Sequence, residues 1–352
     1  MLDVIRPDIQ NLHAYAVQPS TGFIKLDVME NPHRLPPDLQ AELGARLSAV
    51  ALNRYPAERL DDLRAALARH AGLPEGCALM LGNGSDELIS LLTQAIARPG
   101  AVVLAPQPSF VMYQLSCQLL GPRFVGVPCR AEDFALDRNA LLDAIALHRP
   151  ALLWLAYPNN PTGTLWDDEV IEALIAAMQH HGLVVMDEAY QPFAARDSLE
   201  RLRRHPHVMV MRTMSKFGLA GVRIGYLMGR TELVAQVEKL RPPFNVSVLN
   251  AEAALFALEH EAVYAAQAAA IRAERERLFA ALQALPGVTP FPSQANMVLA
   301  RFPDAAATFA QLKARGILVK NVSAMHPLLH NCLRLTVGTP EENSALIKAL
   351  QP

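Results

Sequence analysis

Short apolar runs alternate with polar turns and amphipathic stretches through the middle of this chain. Runs of strand length lie at 78–81, 101–105, 151–156, 183–186 and 208–212, and helical periodicity follows most of them. These runs are apolar without polar alternation, which favours strands that are buried on both faces of a parallel sheet. The pattern therefore predicts an α/β fold, with helices covering a mostly parallel sheet.

The two ends of the chain depart from this pattern. Residues 1–37 are rich in Pro, Asn and His and show no helical period, so we interpret them as an N-terminal arm that packs with the smaller domain. The repeating strand and helix units, with the helices that flank them, predict a large cofactor-binding domain at 38–245. Strands and helices alternate again over a shorter length at 246–352, which predicts a small C-terminal α+β domain.

Composition limits the class of protein. A chain of 352 residues is too long for one small hydrophobic core, which favours two domains. A composition of 51% hydrophobic and 19% charged residues is typical of a globular fold. A net charge of −2 gives no electrostatic reason to expect nucleic acid or an anionic membrane surface as a partner. The four cysteines are scattered without CxxC spacing, and no run is long enough to span a membrane. The N-terminus lacks the pattern of a signal peptide, so we expect a reduced, cytoplasmic protein.

Lys216 is the first candidate for chemistry. It follows the apolar run 208–212 in the sequence TMSK, beside two hydroxyl residues. Removal from water lowers the pKa of a lysine and favours the neutral amine, which forms Schiff bases with carbonyl groups. A lysine that extends from a strand end into solvent is the alternative. Arg223, seven residues further on in GLAGVRIG, adds weight to the chemical interpretation because a guanidinium suits a phosphate.

Asp187 ends another apolar run, in VVMDEAY. An aspartate in this position suits the protonated ring nitrogen of a pyridoxal cofactor, and Tyr190 is close enough in sequence to reach the phenolic oxygen of the same ring. The alternative is that Asp187 caps a helix that begins at Glu188.

Two turns lie at the ends of other strands. Asn160 in NNPTG offers a side-chain amide to a cofactor oxygen, although turn formation alone also explains the motif. GNGSDE at 82–87 opens a helix, and its free backbone N–H groups and the helix dipole suit a phosphate. Ser85 or Asp86 is equally suited to be a plain helix cap.

Tyr113 and Arg334 complete the candidates from residue type alone. Tyr113 follows a Pro-containing loop and offers a ring that could stack on a planar ligand, with core packing as the alternative. Arg334 alternates with apolar residues in CLRLTVG, which suggests capture of an anion or an outward-facing strand position. No pattern of metal ligands is found, so we expect no metal.

Taken in order, these motifs resemble the fold-type I aminotransferases, which are pyridoxal-phosphate enzymes, and within their class II members the histidinol-phosphate aminotransferases. The resemblance extends over about 28–340. The segments that carry it are MENPH (29–33), RYP (54–56), GNGSDE (82–87), NNPTG (159–163), DEAY (187–190), SKFGLAGVRIGY (215–226) and CLRLTVGTPEE (332–342).

The resemblance implies a role for each matching residue. Lys216 would hold pyridoxal 5′-phosphate as a Schiff base and carry the proton, Asp187 would pair with the ring nitrogen, and Tyr113 would stack on the ring. The other implied contacts are Asn160 and Tyr190 with the phenolic oxygen, Gly84, Ser85, Asp86, Ser215 and Arg223 with the phosphate, Tyr55 with the phosphate of the neighbouring subunit in a homodimer, Arg334 with the anionic end of the substrate, and Tyr15 and Asn31 with the substrate entrance.

Two residues depart from the pattern of that family. Lys320 stands where an arginine is usual, which keeps the charge for a substrate anion but loses the bidentate geometry of a guanidinium. Phe217 follows the lysine where a small or aliphatic residue is usual.

The implied activity is transamination in histidine biosynthesis. L-Glutamate would give its amino group to the cofactor, which would pass it to imidazole acetol phosphate to form L-histidinol phosphate. An aromatic amino-acid aminotransferase and a decarboxylase of the phosphothreonine type remain alternatives from other substrate and reaction classes. A cofactor-binding regulator is a third, but the near-neutral charge argues against a DNA-binding role.

Overall fold

The computed structural model describes residues 2–12 and 18–351 of the chain. Its helices are α1 (Pro7–Gln10), α2 (Pro37–Ser48), α3 (Ala57–Ala71), α4 (Ser85–Ile96), α5 (Met112–Leu120), α6 (Arg138–His148), α7 (Asp168–Met178), α8 (Leu199–Arg204), α9 (Thr231–Glu238), α10 (Val248–Glu259), α11 (Glu261–Gln283), α12 (Ala305–Ala314) and α13 (Pro340–Leu350). Its strands are β1 (Ile24–Lys25), β2 (Cys77–Gly82), β3 (Val102–Gln107), β4 (Arg123–Pro128), β5 (Leu152–Ala156), β6 (Leu183–Asp187), β7 (Val208–Thr213), β8 (Gly225–Arg230), β9 (Thr289–Pro290), β10 (Met297–Arg301), β11 (Ile317–Leu318), β12 (Lys320–Asn321) and β13 (Cys332–Thr336).

A sheet of seven strands forms the centre of the molecule, in the order β2-β8-β7-β6-β5-β3-β4. The strands from β7 to β4 pair in parallel, and β8 is antiparallel to both of its neighbours. Because β8 alone is reversed, the other six strands all end at the same edge. The predicted mostly parallel α/β sheet is therefore confirmed, with one reversed strand that the apolar runs did not reveal.

The unbroken apolar runs have a direct structural cause. Along β5, Leu153 and Leu155 pack into the core on one face of the sheet, and Leu152 and Trp154 pack into the core on the other. All four side chains are fully buried. A strand that is covered on both faces has no position for a polar residue, which is why polar side chains collect at its ends instead.

A second, antiparallel sheet lies in the C-terminal part of the chain, in the order β12-β13-β10-β9. A separate core packs around it, built from α11, α12 and α13 together with Leu26 and Met29 of the N-terminal segment. Residues 24–25 pair in parallel with 317–318 in a separate two-stranded sheet, which attaches that segment to the C-terminal part of the chain. The boundaries at 37 and 245 stay a prediction.

The edge where the six strands end gathers the polar segments. The loop 83–84 follows β2, Asp187 ends β6, and the wide turn Ser215–Leu219 follows β7. In parallel sheets this edge is where ligands bind, because the loops there diverge and leave a crevice. Among the described residues, no helix is both long and apolar enough to cross a membrane.

Candidate active site

A cavity of about 340 Å³ opens at this edge of the large sheet. Its volume lies in the range of small-molecule sites. The residues that line it come from separate parts of the chain: Val28, Met29, Glu30, Ser85, Asp86, Phe110, Ala156, Pro158, Asn160, Asp187, Ala189, Tyr190, Thr213, Ser215, Lys216, Ala220, Gly221 and Arg223. Most of the side chains predicted to carry the chemistry therefore meet in one place.

Lys216 projects into the cavity from the turn after β7. Its Nζ donates to the carbonyl oxygen of Val28 at 3.0 Å and lies 6.0 Å from the centre of the Tyr190 ring. Removal from water, reinforced by the positive charge of Arg334, lowers the pKa of the amine to about 8. A substantial fraction of the amine is therefore neutral and nucleophilic near physiological pH.

Asp187 lies at the buried end of β6, 4% exposed. The hydroxyl of Tyr113 donates to its Oδ2 at 2.6 Å, and the backbone N–H of Ala189 donates to its Oδ1 at 3.1 Å. Burial raises the pKa of this carboxyl to about 6, while the two donors act in the opposite direction. An ionised but poorly hydrated carboxylate of this kind favours a cationic N–H partner.

The other end of the cavity is built to accept an anion. α4 begins at Ser85, directly after Gly84, and the first two residues of this helix, Ser85 and Asp86, line the cavity. The N-terminus of a helix offers unpaired N–H groups that favour an anion. Arg223 donates to the hydroxyl of Ser215 at 3.3 Å and lies 3.7 Å from the carboxylate of Asp86. Because that carboxylate already pairs with the guanidinium, Asp86 can serve an anion only through its backbone N–H.

The Gly84 backbone brings this loop close to Arg223. Gly84 has a φ of +77°, and a Cβ built there would lie 2.6 Å from Nη2 of Arg223. Glycine is thus required at this position both for the backbone conformation and for the close approach of the guanidinium. The guanidinium and the helix N-terminus can then face the same ligand group.

Arg334, on β13 of the smaller sheet, is not among the residues that line the cavity, but it bonds to the lining residue Asn160. It is 7% exposed and donates to Oδ1 of Asn160 and to the carbonyl of Asp27, each at 2.7 Å. Since Oδ1 of Asn160 accepts this bond, its Nδ2 remains a donor for a ligand. Lys320 pairs with Arg334 in antiparallel register, so the two side chains project from the same face of the sheet.

The stacking role that the resemblance implied for Tyr113 does not fit the structure. The Tyr113 ring is 1% exposed and stacks on Trp154, at 4.7 Å between centroids and 6° between planes, behind Asp187. Phe110 is the aromatic ring that lines the cavity. Both rings belong to the segment PSFVMY, and Phe110 precedes α5 whereas Tyr113 lies inside it. The helical turn directs Tyr113 toward the core, which the spacing alone did not reveal.

The N-terminal segment also differs in detail from expectation. Asn31 is not among the lining residues. Its Nδ2 donates to Oε1 of Gln267 at 2.9 Å, and its Oδ1 accepts from the N–H of His33, so it fastens the segment to α11. Its neighbour Glu30 lines the cavity instead and forms an ion pair with Lys25 at 2.5 Å. Tyr15 lies outside the described residues.

Tyr55 is not among the residues that line the cavity of its own chain. It is 78% exposed, and its ring stacks on Phe244 at 4.5 Å. Phe244 is itself 44% exposed, so the two rings form an aromatic projection on the surface. A contact between Tyr55 and a neighbouring subunit stays a prediction.

Phe217, the other unusual residue, is explained by its packing. Its ring stacks on Tyr264 of α11 at 4.6 Å and meets the edge of His70 at 5.6 Å. An aromatic residue therefore anchors the turn that carries Lys216 between two helices. This packing supports the lysine position rather than weakening it.

Comparison with known proteins places the chain in a family. The model of the aminotransferases of class I and II matches residues 21–350. The chain belongs to this family. A histidinol-phosphate aminotransferase of Methylibium petroleiphilum is 69% identical over 99% of this chain and 94% of its own, and that of Polaromonas naphthalenivorans is 61% identical over 99% and 96%. The solved histidinol-phosphate aminotransferase of Sinorhizobium meliloti, in complex with pyridoxal 5′-phosphate, has a TM-score of 0.85 at 28% identity and covers 98% of this chain and 95% of that one. The resemblance of this aminotransferase to histidinol-phosphate aminotransferases is thereby confirmed.

Proposed function

We propose that this aminotransferase binds pyridoxal 5′-phosphate in the cavity and exchanges amino groups between L-glutamate and L-histidinol phosphate, in histidine biosynthesis. The observation that carries the proposal is the convergence of Lys216, Asp187 and Arg223 on one cavity in a chain 69% identical to a histidinol-phosphate aminotransferase. The amine of Lys216, the carboxylate of Asp187 and the guanidinium of Arg223 match the aldehyde, the ring nitrogen and the phosphate of this cofactor.

The residues present fit the cofactor part by part. Lys216 would hold it through Nζ, and the carboxylate of Asp187 would accept from the ring nitrogen. Nδ2 of Asn160 and the hydroxyl of Tyr190 would face the phenolic oxygen, and Phe110 would cover the ring. The phosphate would lie between Arg223, Ser215 and the N–H groups of residues 84–86. When bound, the cofactor supplies an electron sink for the charge left after a proton is removed from the substrate.

Lys216 would transfer the proton. A base with a pKa of about 8 accepts a proton near neutral pH and returns it without a large barrier. The hydrogen bond from Nζ to the Val28 carbonyl shows that the side chain can reach toward the N-terminal segment. Lys216 would therefore hold or release the proton at the substrate carbon on that side of the cavity.

Each of the two substrates has an anionic group remote from its amine. This group is the phosphate in L-histidinol phosphate and the side-chain carboxylate in L-glutamate. Arg334 would bind this anion, because its guanidinium bonds directly to Asn160, which lines the cavity. Lys320 would add a second positive charge on the same face. A compact ammonium makes no bidentate pair, so it accepts a tetrahedral phosphate and a planar carboxylate with little geometric preference.

The assembly and location follow from the same proposal. We place the enzyme in the cytoplasm as a homodimer, with Tyr55 of each subunit at the cofactor phosphate of its neighbour. The exposed pair of Tyr55 and Phe244 supports this arrangement, since large aromatic rings on a surface are typical of interfaces. Comparing the molecular mass in solution of the wild type and of Tyr55→Ser tests it.

The experiment that tests the activity supplies histidinol phosphate and 2-oxoglutarate to the cofactor-loaded enzyme. We expect glutamate to form in equal amount to the histidinol phosphate consumed. Lys216→Ala should form none, while Lys239→Ala, a change of an exposed lysine directly after α9, should behave as the wild type. Release of CO2 from a phosphorylated amino acid without formation of glutamate would instead support the decarboxylase.

A further inference from the structure

Tyr113 has a contact that its expected stacking role does not explain. Its hydroxyl donates to Oδ2 of Asp187 at 2.6 Å, a length typical of a hydrogen bond from a hydroxyl to an ionised carboxylate. The N–H of Ala189 holds the other oxygen at 3.1 Å. With one donor on each oxygen, the plane of the carboxylate is fixed from two sides.

The Tyr113 ring is itself held rigidly. It stacks on Trp154 of β5 with an angle of 6° between planes and meets Phe110 edge to face at 5.8 Å. A ring clamped in this way has little freedom to move its hydroxyl away from Asp187. The position of that oxygen is therefore set by the packing of α5 on the sheet rather than by solvent.

The charges around Asp187 make this donor significant. Burial is the main effect that opposes ionisation of Asp187, and the negative charge of Asp86 acts in the same direction. The phenol of Tyr190 also lies close enough to feel the charge of Asp187. Tyr113 and the Ala189 N–H are the groups of the described chain that favour the ionised form.

We propose that Tyr113 is a positioning residue that orients the Asp187 carboxylate, and keeps it ionised, for the ring nitrogen of the cofactor. The inference rests on the proposed cofactor and assigns to Tyr113 an action through Asp187 without contact with the ring. The pKa of Tyr113 is raised by burial and by the charge of Asp187, so its hydroxyl stays a donor throughout the working pH range.

The test compares two changes of the same kind. Tyr113→Phe removes one hydroxyl and keeps the ring on Trp154. The control is Tyr157→Phe, because Tyr157 is also buried and donates to a carboxylate, that of Asp168, at 2.9 Å outside the cavity. We expect Tyr113→Phe to weaken pyridoxal phosphate binding about 10- to 100-fold in a fluorescence titration of the apoprotein, the range for loss of a bond to a charged group. Tyr157→Phe should leave it unchanged.

Two further readouts separate positioning from a merely structural role. In the apoprotein labelled with carboxyl ¹³C aspartate, the pKa of Asp187 should be higher in Tyr113→Phe than in the wild type, with the signal assigned through Asp187→Asn. In the Asp187→Asn background, adding Tyr113→Phe should change cofactor affinity little, since the partner it acts through is gone.

An unchanged pKa of Asp187, or fully additive losses of affinity in the double variant, would overturn the proposal. Failure of the wild type to bind pyridoxal phosphate would refute the proposed function instead. The NMR titration needs no cofactor, so the two failures are distinguishable.

Discussion

The close approach of Gly84 and Arg223 leads to a quantitative prediction. Gly84 has φ +77° and ψ 170°, a conformation that is essentially restricted to glycine, and a Cβ there would meet the guanidinium at 2.6 Å. Gly84→Ala should therefore cost about 1–3 kcal/mol in backbone strain. It should also push the guanidinium away from the anion-binding end of the cavity. Loss of one charge-assisted hydrogen bond to the phosphate adds about 1.5–3 kcal/mol to the free energy of cofactor binding, roughly a 10- to 150-fold loss of affinity.

Gly100 offers a matched control for this change. Its φ is +78°, but a Cβ there would meet no atom within 4 Å. Gly100→Ala should lose about 1–2 kcal/mol of stability from the positive φ alone and bind pyridoxal phosphate as the wild type does. Urea unfolding of the apoproteins measures the first effect, and fluorescence titration with pyridoxal phosphate measures the second. The reasoning is refuted if Gly84→Ala binds the cofactor as tightly as Gly100→Ala.

Three more outcomes follow from the structure. Because the pKa of Lys216 is lowered to about 8, the fraction of neutral amine increases as pH rises through 8. The rate at which the apoprotein binds the cofactor covalently should therefore reach half its maximum near pH 8. A midpoint near pH 10 would contradict this. Lys320→Ala should raise KM for histidinol phosphate more than for an amino donor without an anionic side chain, such as L-alanine, and equal effects on both would remove Lys320 from the anion site. Arg212→Met should lower the free energy of unfolding in urea by about 3–5 kcal/mol, since it leaves the carboxylate of Glu188 buried without its partner. A decrease below about 1 kcal/mol, as for an exposed ion pair, would contradict the expected cost of this buried, unpaired carboxylate.

Much of the fold could be predicted from the apolar runs. A strand that is buried on both faces has a continuous apolar sequence, and the predicted run at 151–156 contains β5 (Leu152–Ala156). The run at 208–212 gives β7 to within one residue. The reversed strand β8 and the edge strand β4 were missed. β4 is exposed along much of its length and carries Arg123 and a glycine, so its composition resembles that of a loop.

The residues of the site that lie at the ends of buried strands could be predicted from the sequence. Asp187 ends one buried strand and Lys216 follows another, and the common direction of six strands brings them to one edge. The side-chain direction inside a helix was not predictable, which is why Tyr113 was expected in place of Phe110. Nor does sequence spacing reveal that Asn31 faces α11 while its neighbour Glu30 faces the cavity, because that depends on how two separate parts of the chain pack together.

The central claim is that the cavity accepts histidinol phosphate as an amino donor. The direct measurement is the single-turnover spectrum of the cofactor-loaded enzyme mixed in turn with histidinol phosphate, L-glutamate and L-phenylalanine. We predict conversion of the cofactor by the first two, with kcat/KM for histidinol phosphate about 100-fold or more above that for phenylalanine, since a site that pairs with an anion discriminates against a side chain without one. A preference of the same size for phenylalanine would contradict the account.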